Sequence, residues 1–423
     1  MTSAAKIRGW RGIIAAFATP SAGTLCVLGF GSGLPFLLIG YTLSIWLREA
    51  GWQLSTIGLL SYISLLYVFK FVWAPLLDRW NAPVIGVLGR RRGWLALAIA
   101  VLVAALAGIA IVGPSQLETF IALVALTALA GSTQDTMVDA YRIEIAPVEA
   151  QAALAATYTL GYRFGLIVSG AGALYISAFG GWRLAYFCMA GCMLAPLCMT
   201  LFAREPDATQ RLQRPNFAEA FAEPFVDFFR RYGIAVAIAL LVFVGLFKMP
   251  DQMLGVIAGP FYIDTGYSNA QIATVSKIYG IWIGIAGAFL GGISVSALGM
   301  RRSIVIAMFC LALSNLLYLL MATHPSAMWA FIATISGDNG SLGFAGVVLI
   351  AFLSSLTSRE FTATQYALLV SLANLPGKLV GGMSGYIVEA SSYTAFFVFS
   401  TISVVPALLL WWWLSKTAKM VDL

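Results

Sequence analysis

Histidine is nearly missing: His324 is the one histidine in 423 residues, and Pro325 stands beside it. Multi-histidine metal sites are therefore excluded, and a histidine-based triad would have to rest on this one loop residue. Charge is scarce as well. Asp, Glu, Lys and Arg together make up 10% of the chain, against about a quarter in an ordinary soluble domain. No phosphate-cradling glycine-lysine loop occurs in a polar region, which argues against a chain that drives itself with ATP. The five cysteines (Cys26, Cys188, Cys192, Cys198, Cys310) all fall in apolar stretches. Cys188 and Cys192 share a helical face, but nothing nearby completes a metal site. They read as small buried hydrophobes and say little about redox compartment.

What fills the space is apolar: 60% of residues are hydrophobic and the mean hydropathy is +0.89. The relevant unit is the membrane span of about 20 apolar residues. Twelve are expected, at 22–47, 54–77, 93–113, 119–142, 151–178, 182–203, 233–262, 269–297, 303–321, 327–356, 361–389 and 394–415. The first run is too long for a signal-peptide core and reads as a retained helix. One long polar, proline-containing segment interrupts the series. The expected organisation is a cytoplasmic N-terminal segment 1–21, a six-helix bundle 22–203, a linker 204–232, a second six-helix bundle 233–415 and a tail 416–423. With both termini in the cytoplasm, eighteen basic residues fall on the inner side and only Arg48 and Arg183 on the outer. That asymmetry fixes the orientation and accounts for the net charge of +7 without a nucleic-acid partner.

The halves resemble each other. "GWQLSTIG" (51–58) aligns with "GYSNAQIA" (266–273), "GLPF" (33–36) with "KMPD" (248–251), and "GLIVSGAG" (165–172) with "GKLVGGMS" (377–384). A shared offset across three matches supports an ancient duplication, the plan of the major facilitator fold. The loops "APLLDRW…LGRRRGW" and "GGISVSALGMRRS" resemble the cytoplasmic signature of that fold. Asp78 is expected to cap a neighbouring helix and, with Arg79, Arg90 and Arg91, to latch the inner face. Arg301 and Arg302 form a weaker second copy, with Ser296 where an acid would stand.

Five basic residues (Lys70, Arg163, Lys248, Lys277, Lys378) and four acids (Asp135, Asp139, Asp251, Asp338) lie inside spans. A charge there costs about 2.5–3.5 kcal/mol on insertion scales, so each is a functional candidate. Asp135 and Asp139, spaced i, i+4, share a helix face with Gln134 at its edge. Asp139 reads either as a helix-end partner of Arg142 or as a further proton-coupling group beside Asp135. Asp135 is expected to pair with Arg163, either as a structural pair or as the proton-coupling group; Asp251 or Asp338 is the second choice. Lys248, Lys277, Lys378, Lys70 and the amides of Gln252 and Asn374 suit an anionic or polar solute. Tyr41, Tyr62 and Tyr162 offer rings for stacking on sugars, or simply pack helices. "FGSGLPF" in span one and "FKMPDQM" in span seven are expected to be broken stretches beside a binding site.

The strings "FKFVWAPLLDRW…LGRRRGW", "STQDTMVDAYR", "LGYRFGLIVSG" and "FTATQYALLVSLANL…GYIVE" resemble the AmpG-type muropeptide permeases of Gram-negative bacteria, through about 22–400. The resemblance implies a monomeric, cofactor-free, proton-driven importer of N-acetylglucosaminyl-anhydro-N-acetylmuramic acid and its peptides in the inner membrane. Such import feeds cell-wall recycling and, in some species, β-lactamase induction. It implies polar-core roles for Gln134, Asp135, Asp139, Tyr162, Arg163, Thr364, Gln365 and Tyr366. Lys378 stands where the family's arginine is expected. A carrier of another anionic metabolite, such as an acyl-CoA or sugar acid, and a non-transporting sensor on the same fold remain alternatives.

Overall fold

The computed structural model describes residues 19–73, 77, 80–83, 85–145, 151–206, 226–356 and 362–417. Every regular element among them is helical. In the first half these are α1 (Pro20–Leu38), α2 (Tyr41–Glu49), α3 (Leu54–Leu60), α4 (Leu65–Val68), α5 (Arg90–Val112), α6 (Leu117–Ile145), α7 (Gln151–Ile167), α8 (Ala173–Cys192) and α9 (Leu194–Phe202). In the second they are α10 (Ile234–Asp264), α11 (Asn269–Ile272), α12 (Gly280–Leu298), α13 (Met300–Thr323), α14 (Met328–Leu356), α15 (Thr362–Ala390), α16 (Tyr393–Ile402) and α17 (Val405–Ser415). Nine stretches among the described residues are long and apolar enough to cross a membrane, with Leu54–Val68 a shorter apolar helix beside them. One of the nine, Thr157–Phe202, runs 46 residues and is broken at Gly181, whose φ of 78° no helix can hold.

The chain divides into two compact units. The first takes Met1–Leu43 and Ile63–Arg211; the second takes Ser44–Tyr62 and Leu212–Leu423. The boundary therefore does not fall only in the linker. Residues 44–62 pack within the second unit, and the contacts that hold them are specific. Arg48 makes a bidentate pair with Asp264, 2.6 Å on both arms, and Tyr393 donates to the same carboxylate at 2.6 Å. Glu389 accepts from the backbone N–H of Ser55 at 3.0 Å, at the N-terminal end of α3. Gly382 and Gly385 let α15 approach Tyr62 and the Leu54 backbone.

Glycine decides how the helices of the first unit are rotated. A Cβ on Gly29 or Gly33 of α1 would lie 2.2 Å from the carbonyl oxygens of Tyr158 and Tyr162. A Cβ on Gly161 or Gly165 of α7 would lie 1.8 and 2.4 Å from those of Cys26 and Phe30. This is a reciprocal small-residue interface of the kind that lets membrane helices meet backbone to backbone. In the second unit, Gly287 and Gly291 of α12 meet the Gly340 and Phe344 carbonyls of α14 in the same way.

The stretches expected to break do not. Helix α1 runs through Pro35, and α10 through Pro250 and Pro260. Proline removes one backbone bond each time, but the neighbouring turns hold the helix together. The irregular turns sit elsewhere: wide π-type turns at Val168–Gly172 and at Ala273–Tyr279, the latter carrying Lys277. Substituting Gly161 tests the packing argument. Gly161→Val should cost about 3 kcal/mol or more, since backbone rather than a side chain must yield, and should lower the unfolding temperature and folded yield of the detergent-purified protein.

Candidate functional site

The first unit gathers its charges around Asp135 on α6. Lys70, in the 3-10 turn Phe69–Val72, donates to Asp135 Oδ2 in a short ion pair, and Tyr158 of α7 donates to Oδ1 at 2.9 Å. Lys70 also stands 3.8 Å from Asp139, which pairs with Arg142 at 3.7 Å. Both carboxylates are thus tied to bases, one turn apart on one helix face. Trp73 fixes the adjoining backbone by donating to Thr133 at 3.1 Å. Gln134 is fully buried, and among the described residues neither its Nε2 nor its Oε1 finds a hydrogen-bond partner. The buried hydroxyl of Tyr67 is likewise without a partner among the described residues. Orphaned polar atoms in such a place call for water or a polar ligand.

Arg163 does not join this group. Asp135 takes its base from Lys70, whereas Arg163 lies on an exposed face of α7 with Leu160 and Phe164. The physical reason is helix rotation. The glycine contacts with α1 fix α7 so that Tyr158 reaches Asp135, and Arg163, five residues on, falls about 140° round the helix. Tyr162 stays beside Tyr158, ring centroids 6.2 Å apart. The tyrosine at 158 escaped the sequence reading; its spacing of four from Tyr162 was the available signal.

The second unit builds a larger group. Lys248 Nζ and Gln252 Nε2, one turn apart on α10, both donate to Asn374 Oδ1 at 3.1 Å. Asn374 is held in turn by its Nδ2, which donates to the Val370 carbonyl at 2.8 Å. Gly377 and Gly381 of α15 make room for Gln252, and Gly245 of α10 makes room for Pro376. Lys378 stands within electrostatic range of Lys248, and Asp251 of Lys248 and Asp338. On α14, Asp338 lies within electrostatic range of Lys277 and accepts from the Tyr318 hydroxyl at 3.0 Å. Lys248, Asp251, Gln252, Lys277, Asp338, Asn374 and Lys378 therefore belong to one neighbourhood of three bases, two acids and two amides. Tyr62 is elsewhere, donating to the Leu379 carbonyl at 2.7 Å, and Tyr41 is half-buried at the start of α2. The side chains of Thr364, Gln365 and Tyr366 lie outside the described residues.

The basic loop works locally. Arg91, 2% exposed, makes a bidentate pair with Glu144 at 2.9 and 2.5 Å, and Arg90 stands 3.9 Å from the same acid. The N-terminus of α5 is capped by Glu205, which accepts from the backbone N–H groups of Arg91 and Arg92 at 2.9 and 3.0 Å. Sequence reasoning assigned such a cap to Asp78; Asp78 and Arg79 lie outside the described residues. In the second copy Arg301 donates to the Ser415 carbonyl, Ser294 and Ser303 share a hydroxyl bond of 2.8 Å, and Arg302 is exposed.

Removing one member of a charge pair strands the other, whereas removing both does not. Lys70→Met alone should therefore destabilise the protein by about 2 kcal/mol, less than for a fully buried pair because Lys70 is 31% exposed. The double variant Lys70→Met, Asp135→Asn should recover more than half of that. Thermal unfolding of the four proteins of this cycle in detergent checks the coupling.

The sequence profile of the Major Facilitator Superfamily matches residues 25–377. The anhydromuropeptide permease of Escherichia coli K12 is 34% identical over 397 residues, covering 93% of this chain and 79% of that protein. A putative transporter, AmpG 4, of Rickettsia conorii is 30% identical over 401 residues, covering 93% and 96%. Among solved structures, a bacterial homologue of the lysosomal transporter Spinster superposes with a TM-score of 0.71 at 15% identity, covering 96% of this chain and 98% of that one. A D-xylose-proton symporter gives 0.68 at 14% identity, covering 94% and 97%; these two establish the fold alone. The duplicated helical plan, the intramembrane charges and the relatives agree: this multi-pass membrane protein is a transporter, not an enzyme, and belongs to the AmpG-type permeases of the major facilitator superfamily.

Proposed function

We propose that the chain imports anhydromuropeptides across the bacterial inner membrane, from periplasm to cytoplasm, by alternating access coupled to protons. Twelve spans, both termini cytoplasmic, bundles at 22–203 and 233–415 joined by a linker at 204–232, and a monomer form the working arrangement. The observation that carries the reading is Asp135, an acid in a membrane span, held between Lys70 and Tyr158. Protonation of Asp135 removes the counter-charge of Lys70, so proton binding changes which helices are held together. That is what coupling requires. A solute with carboxylates and sugar hydroxyls suits the second unit, where three lysines face two acids and the amides of Gln252 and Asn374 stand among them. Arg90, Arg91, Arg301 and Arg302, with Asp78 and Arg79, would brace the cytoplasmic ends.

The basic surplus also favours a second reading, transport of a different anionic metabolite such as an acyl-CoA or sugar acid; unlabelled competitors separate the two.

Proteoliposomes loaded with the purified full chain and given labelled N-acetylglucosaminyl-anhydro-N-acetylmuramic acid supply the test. A pH difference of one unit supplies about 1.4 kcal/mol per proton carried, or about tenfold accumulation, and does so even where the solute's own carboxylate cancels the proton's charge. Wild-type protein should concentrate the disaccharide and lose that ability when the gradient is collapsed. Asp135→Asn should retain exchange of the label across the membrane at equilibrium but fail to concentrate it. Full gradient-driven accumulation by Asp135→Asn would overturn the assignment.

A further inference from the structure

The two units, each taken by itself, place a lysine and a tyrosine around one acid of a long helix. In the first, a carboxylate on a long helix (Asp135 on α6) meets a lysine from an irregular turn well upstream (Lys70) and accepts from a tyrosine (Tyr158). In the second, Asp338 on α14 accepts from Tyr318 of α13 and lies within electrostatic range of Lys277 from the π-type turn Ala273–Tyr279. The lysine precedes the acid by a comparable stretch of chain in both. The tyrosine is recruited from different sides: the helix after the acid in one unit, the helix before it in the other. Different helices supplying the same donor to the same group is hard to attribute to inherited packing alone.

The second copy has an addition. The hydroxyl of Tyr318 lies 3.0 Å from that of Tyr262 on α10, and both rings are fully buried. A phenol hydroxyl donates once and accepts besides. With Asp338 ionised, Tyr318 donates to it and so accepts from Tyr262. With Asp338 protonated, the carboxyl itself donates to Tyr318, and Tyr318 turns to donate to Tyr262. The chain Asp338–Tyr318–Tyr262 therefore has two self-consistent orientations that differ by one proton on the acid. Phenylalanine would fill the same space if packing were the whole role, as Phe261, Phe331 and Phe397 do around it. Other groups within electrostatic range of Asp338 are Lys277 from the π-type turn and Asp251 from α10. Lys248 and Lys378 stand beyond Asp251.

We propose that Asp338 is a second proton-carrying site, so that each half of the protein carries one, and that Tyr318 and Tyr262 are positioning residues that relay its proton. The proposal rests on the proton-coupled reading above and adds a second site to it. No bond other than O–H is made or broken: a proton received at Tyr262 leaves as one passed from Tyr318 to the Asp338 carboxylate, and each phenol ends neutral.

The test is a pH titration of the full chain in lipid nanodiscs, followed by the infrared carbonyl stretch of protonated carboxyls. It compares wild type with Asp338→Asn, Asp338→Glu, Tyr318→Phe and Tyr262→Phe. The infrared titration needs no substrate, so its result is separate from the wild-type disaccharide uptake that judges the proposed function; only the pH profile of uptake draws on both. One titrating band should vanish in Asp338→Asn and be displaced in Asp338→Glu. In Tyr318→Phe it should persist to about one pH unit higher, because one donor to the ionised form is gone. Tyr262→Phe should move it less, in the same direction. The pH profile of uptake should move with the band, a change that mere loss of packing would not produce. Unchanged bands in Asp338→Asn, or an unmoved titration and uptake profile in Tyr318→Phe, would overturn the proposal; Asp338→Glu and Tyr318→Phe keep it open to refutation if Asp338→Asn does not fold.

Discussion

A charge in hydrocarbon must be held by polar or charged partners within a few ångströms, and this requirement organises both halves of the protein. An unpaired carboxylate or ammonium in low dielectric is far too costly to persist. Asp135 meets it with Lys70 and Tyr158, and the second unit meets it with a wider set of bases, acids and amides. The partners come from different helices each time, so neutralising a charge also fixes the relative position of the helices that bear it. A proton that cancels the charge cancels that constraint too. On the transport reading, this is the link between chemistry and movement: the same pair that makes the folded state tolerable is the one a proton can undo.

Which partner a charge obtains is settled by backbone packing rather than by charge. Gly29, Gly33, Gly161 and Gly165 bring α1 and α7 so close that a single methyl group would collide with carbonyl oxygens. Helices in that kind of contact cannot rotate freely, and α7 is left presenting Tyr158 to Asp135 and Arg163 to an exposed face. Small residues thus set the electrostatics at one remove. The same holds in the second unit, where Gly377 and Gly381 allow Gln252 to reach the Asn374 amide.

That division explains what could be read from the chain alone. Composition and the length of apolar runs specify a helical membrane protein, because the bilayer permits few alternatives, and the strings around Asp135 pointed to the right relatives. Asp139 with Arg142 was legible because i, i+3 neighbours on one helix must be close. Asp135 with Arg163 was misread because depth in the membrane is visible in a sequence and rotation is not. Glu205 at the N-terminus of α5 was invisible for a similar reason: its partner lies more than a hundred residues upstream, and many acids could have served. The prolines of α1 and α10 looked like breaks, yet the helices absorb them, while the wide turn that carries Lys277 has no proline to announce it.

Asn374 shows what the second unit has in addition to its acid and tyrosine. In the first, one carboxylate gathers a lysine and a tyrosine, and charge cancels charge. In the second, a single neutral oxygen, Asn374 Oδ1, holds both the Lys248 ammonium and the Gln252 amide. An amide oxygen orients an ammonium without neutralising it, and an ammonium has three N–H groups of which this bond uses one. Lys248 therefore keeps most of its capacity for an anion, with Lys378 beside it adding to the local positive potential and Asp251 only partly offsetting it. A carboxylate arriving from a solute would find donors already aimed and a field already favourable, with little reorganisation needed. On the transport reading, the basic surplus around Lys248 is what an acidic solute would need, while the acid held by Lys70 and Tyr158 is the group a proton would release.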